Sequence, residues 1–98
     1  MIGEITVVPQ ADGPARDLIA KLLAEIADQG LHYDLGPMGT CVEGELEAIL
    51  GAVRAIEGRL RTEGVQRAVI ELRLQFEPHP ETLEHQVEGI AITKGGTE

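Results

Sequence analysis

The stretch Gly36-Pro37-Met38-Gly39-Thr40-Cys41-Val42-Glu43-Gly44 joins a short alternating segment to a long helical pattern. Glycine is favoured where the backbone needs a positive φ or where another group approaches the main chain closely, and proline fixes φ. A hydroxyl, a thiol and a carboxylate stand among these small residues, on Thr40, Cys41 and Glu43. The composition is typical either of a tight structural turn or of the wall of a ligand site, and both interpretations stay open.

The segment before this stretch predicts a strand followed by a helix. Residues 2–8 alternate in polarity, and Pro9 is expected to end the strand. Asp12-Gly13-Pro14 then supplies a turn and a helix start. Residues 14–29 predict an amphipathic helix that Gly30 ends. Its expected core positions are Ala15, Leu18, Ile19, Leu22, Leu23 and Ile26.

The stretch itself is predicted to form most of a hairpin. Residues 31–35 alternate and predict a short half-buried strand, Gly36-Pro37 turns the chain, and residues 38–42 form the next strand. Tyr33 is in phase with the helix-facing residues, so its ring is expected either in the core or against a ligand.

A second helix over residues 44–62 and a long strand over residues 67–77 are predicted downstream. The helix core is expected at Leu46, Ile49, Leu50, Val53, Ile56 and Leu60. Small residues mark another stripe, at Ala48, Gly51, Ala52, Ala55 and Gly58. Each mid-helix glycine costs about 1 kcal/mol relative to alanine. We expect this stripe to face away from the core, as a contact with another subunit or as a simple exposed face.

Along the long strand, Ala68, Ile70, Leu72, Leu74 and Phe76 are expected to face the helices. Gly64 is predicted to end the second helix before it. Residues 81–92 fit either a helix or a strand.

The order strand, helix, strand, strand, helix, strand predicts an α+β protein with the ferredoxin-like βαββαβ fold. Four antiparallel strands form one sheet, with both helices on one face. We expect a single domain over residues 1–93 and a flexible tail at 94–98. A partner subunit or a ligand is expected to cover the open face of the sheet.

The chain is acidic, with 17 Asp and Glu against 8 Lys and Arg among 98 residues and a formal net charge of −9. This balance disfavours nucleic acid and anionic membranes as partners, because both require their phosphates to be neutralised. It is compatible with a neutral or cationic small ligand. The single cysteine excludes an internal disulfide and favours a cytoplasmic location. We see neither a signal peptide nor an apolar run near the ~20 residues of a transmembrane helix.

Metal chemistry has weak support in the sequence. Glu81 and His85 stand four residues apart, with His79 nearby, which is a spacing that can bind a metal on a helix. Two prolines interrupt this segment, so a solvated tail is favoured. We predict no metal site.

Catalytic chemistry is weakly supported as well. His32 and Asp34 are expected to face water on an edge strand, and no signature supplies a base for Cys41. We therefore predict neither catalytic residues nor a cofactor. A small ferredoxin-like enzyme of the dimeric monooxygenase or isomerase type, using His32, Asp34 or Cys41, is an alternative, and so is a purely structural oligomerisation module.

The thiamine-binding protein family has a central motif that resembles Tyr33-Asp34-Leu35-Gly36-Pro37-Met38-Gly39-Thr40 followed by Glu43-Gly44-Glu45-Leu46. Gly64-Val65-Gln66-Arg67 and Thr82-Leu83-Glu84-His85-Gln86-Val87-Glu88 also resemble the family. The resemblance implies a small ferredoxin-like homodimer or tetramer that binds thiamine or its hydroxymethylpyrimidine part without catalysis. Such a protein would carry, buffer or sense its ligand.

The resemblance also implies roles for single residues. Thr40 would meet the pyrimidine, Gly39 would let the ring approach, and Glu43 would be a nearby carboxylate. Met38 and Tyr33 offer apolar contact to a ring. The family usually has acidic residues and an arginine after the last strand, whereas this chain has Gln75-Phe76-Glu77-Pro78 there.

Overall fold

In the part of the chain that the structure describes, six elements follow one another in the predicted order. The computed structural model describes residues 1–10, 15–76 and 78. The strands are β1 (Ile2–Gln10), β2 (His32–Leu35), β3 (Thr40–Glu43) and β4 (Arg67–Gln75), and the helices are α1 (Ala15–Asp28) and α2 (Leu46–Thr62). The strands form one sheet in the order β2-β3-β1-β4, and every neighbouring pair is antiparallel. The predicted ferredoxin-like α+β fold is confirmed.

The core lies between the sheet and the two helices, and aliphatic side chains build it. Ile49, Ile56 and Val42 are its largest fully buried side chains. Burying one such side chain contributes about 1.5–3 kcal/mol. Among the described residues, the buried apolar ones are Ile5, Leu18, Leu22, Ile26, Leu31, Val42, Ile49, Ala52, Ile56 and Leu60. Both helices contribute to this one cluster, so both cover the same face of the sheet.

Glycines end both helices, as predicted. Gly30 and Gly64 each have a φ of +76°, in the left-handed region that glycine adopts without strain. After α2, the Gly64 N–H donates to the Arg61 carbonyl and the Val65 N–H to the Leu60 carbonyl. This pattern is a Schellman motif, and it satisfies two of the carbonyls that a helix end leaves free.

Ion pairs join the two helices at the surface. Lys21 on α1 lies 2.7 Å from Glu63, and Arg59 on α2 lies 2.8 Å from Glu25 and 3.6 Å from Glu63. The hydrogen bond from Lys21 lowers the pKa of Glu63 below its ordinary value. The hydrogen bond to Glu25 likewise raises the pKa of Arg59. Within the described residues, neither helix is long and apolar enough to cross a membrane.

Pro9 does not end β1, contrary to the prediction. The strand continues through Pro9, opposite Ala68, to Gln10, opposite Arg67. On its other side, β1 pairs with β3 only from Ile2 to Ile5. Proline lacks an N–H, and it is tolerated where a strand has a neighbour on one side only.

Other boundaries also differ from the predicted ones. β3 begins at Thr40 and not at residue 38, so Met38 lies in the hairpin loop and is 80% exposed. β4 ends at Gln75, and Phe76 lies beyond the strand, where it is exposed and is not part of the described core. Several predicted core residues are exposed as well, namely Ala15, Ile19, Leu46 and Leu74.

The small-residue stripe of α2 was predicted to face away from the core. That prediction is wrong for part of the stripe. Ala52 is fully buried within the core, and Ala48 packs against it. A Cβ at Gly51 would lie 2.6 Å from Oε1 of Gln29, so the close neighbour at this position belongs to the same chain. The predicted turn at 12–14, the ambiguous segment 81–92 and the tail 94–98 lie outside the described residues.

Candidate ligand pocket

A cavity of about 170 Å³ opens where β1 continues past the end of β3. The described β1–β3 register ends with Ile5 opposite Thr40, and the chain before Thr40 turns away as the hairpin loop 36–39. The space left between the loop, β1 and α1 is the pocket. Its lining residues are Ile5, Thr6, Val7, Pro9, Ile19, Leu22, Leu23, Ile26, Leu35, Gly36, Pro37, Met38, Gly39, Thr40 and Ile56.

The walls of the pocket are apolar. No Asp, Glu, Lys, Arg or His of the described chain belongs to its lining. Thr40 supplies a polar side chain and is itself buried, with 7% of its surface exposed. Ile19, Leu35 and Met38 are 40%, 60% and 80% exposed, so they form an apolar rim. Such a site suits an uncharged ring that can form a hydrogen bond with a hydroxyl.

Two hydrogen bonds hold the loop over the pocket. The Gly36 N–H donates to the Gly39 carbonyl at 2.8 Å and closes the hairpin. The Thr6 hydroxyl donates to the Met38 carbonyl at 3.3 Å. A Cβ at Gly39 would lie 2.6 Å from this same hydroxyl oxygen, so a larger residue there would force the loop or Thr6 to move.

Three of the five predicted ligand-binding residues line the pocket together, namely Met38, Gly39 and Thr40. Tyr33 and Glu43 are not part of the lining. Tyr33 is half-buried on β2, opposite Val42, and packs against the core. Glu43 lies at the far end of β3, about 10 Å along the strand from Thr40, at 3.3 Å per residue. It is half-exposed and points to the opposite face of the sheet from Thr40, three positions away.

The contribution of α1 to the pocket was missed from the sequence. Ile19, Leu22, Leu23 and Ile26 form one wall, and their spacing had indicated only a core-facing helix. Pro9 also lines the pocket, because β1 runs past its predicted end. Ile19 is exposed although Leu18 and Leu22 beside it are buried, and no pattern in the sequence predicted this difference.

Cys41 lies outside the pocket on the open face of the sheet. Its cross-strand neighbours are Glu4 on β1 and Asp34 on β2. Partial burial raises the pKa of the Cys41 thiol, and the two carboxylates raise it further. The thiol is therefore protonated at neutral pH and is a weak nucleophile. Across residues 1–10 and 15–76, no three His, Cys, Asp or Glu side chains cluster as metal ligands would.

The fold and the pocket define a small ferredoxin-like protein with an apolar cavity beneath its hairpin loop. A family model described as thiamine-binding protein matches residues 3–90. The chain therefore belongs to the thiamine-binding protein family, as the resemblance of its central motif predicted.

Solved structures show the same fold in other organisms. One is a protein of Thermotoga maritima, described provisionally as a thiamine biosynthesis or salvage protein, with 30% identity and a TM-score of 0.79. The match covers 91% of this chain and 96% of that one. A hypothetical protein of Methanocaldococcus jannaschii is 23% identical, with 92% and 94% covered and a TM-score of 0.76. A domain of unknown function from Bacillus cereus is 24% identical, with 88% and 85% covered and a TM-score of 0.79. No curated protein matches the chain.

Proposed function

We propose that this protein binds thiamine, or its hydroxymethylpyrimidine part, with the pyrimidine ring in the pocket beneath loop 36–39. The observation that carries the proposal is the position of Met38, Gly39 and Thr40, the centre of the family motif, in the wall of an apolar cavity. Membership of the thiamine-binding family and the likeness to a thiamine biosynthesis or salvage protein support it.

The size of the cavity favours one ring over two. Its volume is about 170 Å³. An apolar cavity of about 150 Å³ holds benzene, whereas pockets for drug-sized ligands measure about 300–1,000 Å³. A substituted pyrimidine therefore fills the pocket, and the thiazolium ring of thiamine would lie outside it, at the rim.

Thr40 gives the pocket a means of orienting the ring. Its hydroxyl can donate to a ring nitrogen or accept from an exocyclic amine. Because the surrounding walls are apolar, a hydrogen bond formed there is shielded from water. Met38 and Leu35 then cover the ring at the rim, where both side chains are exposed. The roles predicted for Tyr33 and Glu43 stay predictions, since neither residue lines the cavity.

The positive charge of the thiazolium suits an acidic protein. With a formal net charge of −9, the protein attracts cations to its surface. The cavity itself has no charged side chain among its described lining residues, so the attraction would act at the rim and over longer distances. We expect this contribution to fall as the salt concentration rises.

Binding without catalysis is the favoured activity. Acid–base catalysis needs a titratable group within hydrogen-bond reach of the substrate, and the described lining contains none of the usual candidates. The enzymatic alternative would use His32, Asp34 or Cys41, and these residues lie on β2 and β3 outside the pocket. The protein would thus carry, buffer or sense its ligand.

Self-association and a cytoplasmic location belong to the same proposal. Val8 and Val69 lie opposite each other on the open face of the sheet and are 59% and 55% exposed. Apolar pairs of this kind support a dimer or a tetramer in which that face is covered. Light scattering of the purified protein measures the subunit number directly.

Calorimetric titration with hydroxymethylpyrimidine and with thiamine tests the ligand. We expect saturable binding of both. At high salt, where the attraction of the thiazolium is screened, the two affinities should be similar, because the pyrimidine ring makes the buried contacts. Thr40→Val keeps the shape of the side chain and should weaken binding about tenfold, the loss of a hydrogen bond worth about 1.4 kcal/mol. Thr62→Val, on the surface of α2, is the matched control and should bind as the parent does. A folded parent protein that binds neither ligand would contradict the proposal.

A further inference from the structure

Thr6 touches the pocket loop at two consecutive residues. Its side chain lies on the face of β1 that points away from the helices, since its neighbours Ile5 and Val7 pack in the core. Its hydroxyl donates to the Met38 carbonyl at 3.3 Å. The same oxygen lies 2.6 Å from the place that a Cβ would occupy on Gly39. One hydroxyl group thus contacts the part of the loop that forms the pocket wall.

We propose that Thr6 is a positioning residue for the pocket, which holds loop 36–39 in the geometry that ligand binding needs. The inference rests on the proposed function, because it concerns the same pocket. Thr6 belongs to β1 and lies outside the family motif, which begins at Tyr33.

The end of the β1–β3 ladder explains why the loop needs such a contact. The described register between β1 and β3 ends with Ile5 opposite Thr40. The bond from the Gly36 N–H to the Gly39 carbonyl closes the loop on itself and does not tie it to β1. Among the described hydrogen bonds, that of Thr6 is the one that joins loop 36–39 to β1.

The expected effect on binding follows from preorganisation. A loop that is held in place before binding loses less conformational entropy when the ligand arrives. The distance of 3.3 Å is long for a hydrogen bond between two oxygens, so its contribution lies at the weak end of the usual range. We expect the loss of the Thr6 hydroxyl to weaken ligand binding about threefold.

Thr6 and Gly39 should also be coupled. Gly39→Ala places a methyl group against the Thr6 hydroxyl, and either the loop or Thr6 must then move. Removing that hydroxyl relieves the tightest contact, although the Ile5 carbonyl at 3.3 Å and Cγ of Glu4 at 3.2 Å remain close. Gly39→Ala should therefore weaken binding less in a Thr6→Ala protein than in the parent.

The test uses the full chain and four variants, Thr6→Ala, Thr6→Ser, Gly39→Ala and the double variant Thr6→Ala/Gly39→Ala. The control is Thr62→Ala, which removes a hydroxyl that donates to the Gly58 carbonyl on the surface of α2. Calorimetry with hydroxymethylpyrimidine gives the affinity. Amide hydrogen exchange at Gly36, followed by NMR without ligand, reports the opening of the loop.

We expect Thr6→Ala to weaken binding and to speed exchange at the Gly36 amide, each about threefold. Thr6→Ser should restore both values, and Thr62→Ala should change neither. If the parent binds hydroxymethylpyrimidine and Thr6→Ala leaves both values unchanged, the inference is wrong and the proposed function stands. If the parent binds no ligand, the proposed function fails, and the role of Thr6 in binding is overturned with it. Faster exchange at the Gly36 amide in Thr6→Ala would then show only that Thr6 holds the loop.

Discussion

Thr40 lies opposite Ile5 at the end of the described β1–β3 register, and the pocket begins directly beyond this pair. Ile5 is buried beneath the helices, and Thr40 is buried beside it at the edge of the cavity. The register therefore decides which residue of the hairpin presents its hydroxyl to the cavity. A shift by one residue would turn Thr40 to the open face of the sheet.

The rim residue Ile19 should contribute to binding more than to folding. It lines the pocket and is 40% exposed, so Ile19→Ala removes a contact with the ligand while leaving the core intact. We expect calorimetry to show about threefold weaker binding, since part of a side chain worth about 1.5–3 kcal/mol when fully buried is lost. Leu46→Ala is the matched control, because Leu46 is 36% exposed on α2 and is not among the lining residues. Equal losses in the two variants would count against the pocket.

The burial of Ala52 can be tested by enlarging it. Ala52 is fully buried between α2 and the rest of the core, so Ala52→Leu should overpack the interior. We expect a loss of about 1–3 kcal/mol in the free energy of unfolding, measured with urea. Ala24→Leu, on the exposed side of α1, is the control and should change stability little. If Ala52→Leu is as stable as Ala24→Leu, then Ala52 faces outward, as the sequence had suggested.

Two glycines of the α2 region should respond in opposite directions to alanine. Gly64 has a φ of +76° in the Schellman motif, so Gly64→Ala should destabilise the protein by about 1–2 kcal/mol. Gly58 lies within α2, and apart from its chain neighbours and the backbone of its own helix no described atom lies within 4 Å of the place that its Cβ would take. Gly58→Ala should therefore stabilise the protein by about 0.5–1 kcal/mol. Thermal unfolding measures both changes, and a destabilising Gly58→Ala would indicate that another chain packs against this position.

The ion pair between Lys21 and Glu63 makes part of the stability depend on pH. The pKa of Glu63 is lower in the folded protein than its ordinary value of 4.5, so the native state favours the ionised carboxylate. The resulting stability is complete above about pH 4.5 and is lost as the pH falls through the lowered pKa. Glu63→Gln should reduce stability at pH 7 and narrow the difference between urea midpoints at pH 7 and pH 3.

Glu57→Gln serves as the comparison for this prediction. Glu57 pairs with Arg61 within α2 and is more exposed, so its pair does not join the two helices. Exposed pairs within one helix contribute little to stability. The role of Glu63 would be contradicted if Glu63→Gln and Glu57→Gln narrowed the difference between the urea midpoints at pH 7 and pH 3 equally.

The elements that local patterns encode were predictable, and the pocket was not. Gly30 and Gly64 marked both helix ends because glycine is favoured where the chain needs a positive φ. Alternating polarity and helical spacing gave the order of all six elements. Three residues of the motif, Met38, Gly39 and Thr40, lie together in the wall of the cavity, and their role in ligand binding stays a prediction.

The missed features depend on how the strands are paired. Pro9 lies within β1 because β3 leaves that side of the strand unpaired, and this cannot be known before the register is known. The wall formed by α1 and the burial of Ala52 depend likewise on the rotation of each helix about its axis. Hydrophobic spacing gives that rotation only approximately, since residues at the edge of an apolar stripe can face either way.

Amide chemical-shift mapping during a titration with hydroxymethylpyrimidine tests the position of the binding site most directly. We expect the largest shifts at Met38, Gly39 and Thr40, with further shifts at Ile19 and Leu22 on the facing wall. The amides of His32 and Glu43, which pair with each other at the far end of the hairpin, should stay in place. Shifts confined to His32, Glu43 and the open face of the sheet, or no shifts at saturating ligand, would contradict binding beneath loop 36–39.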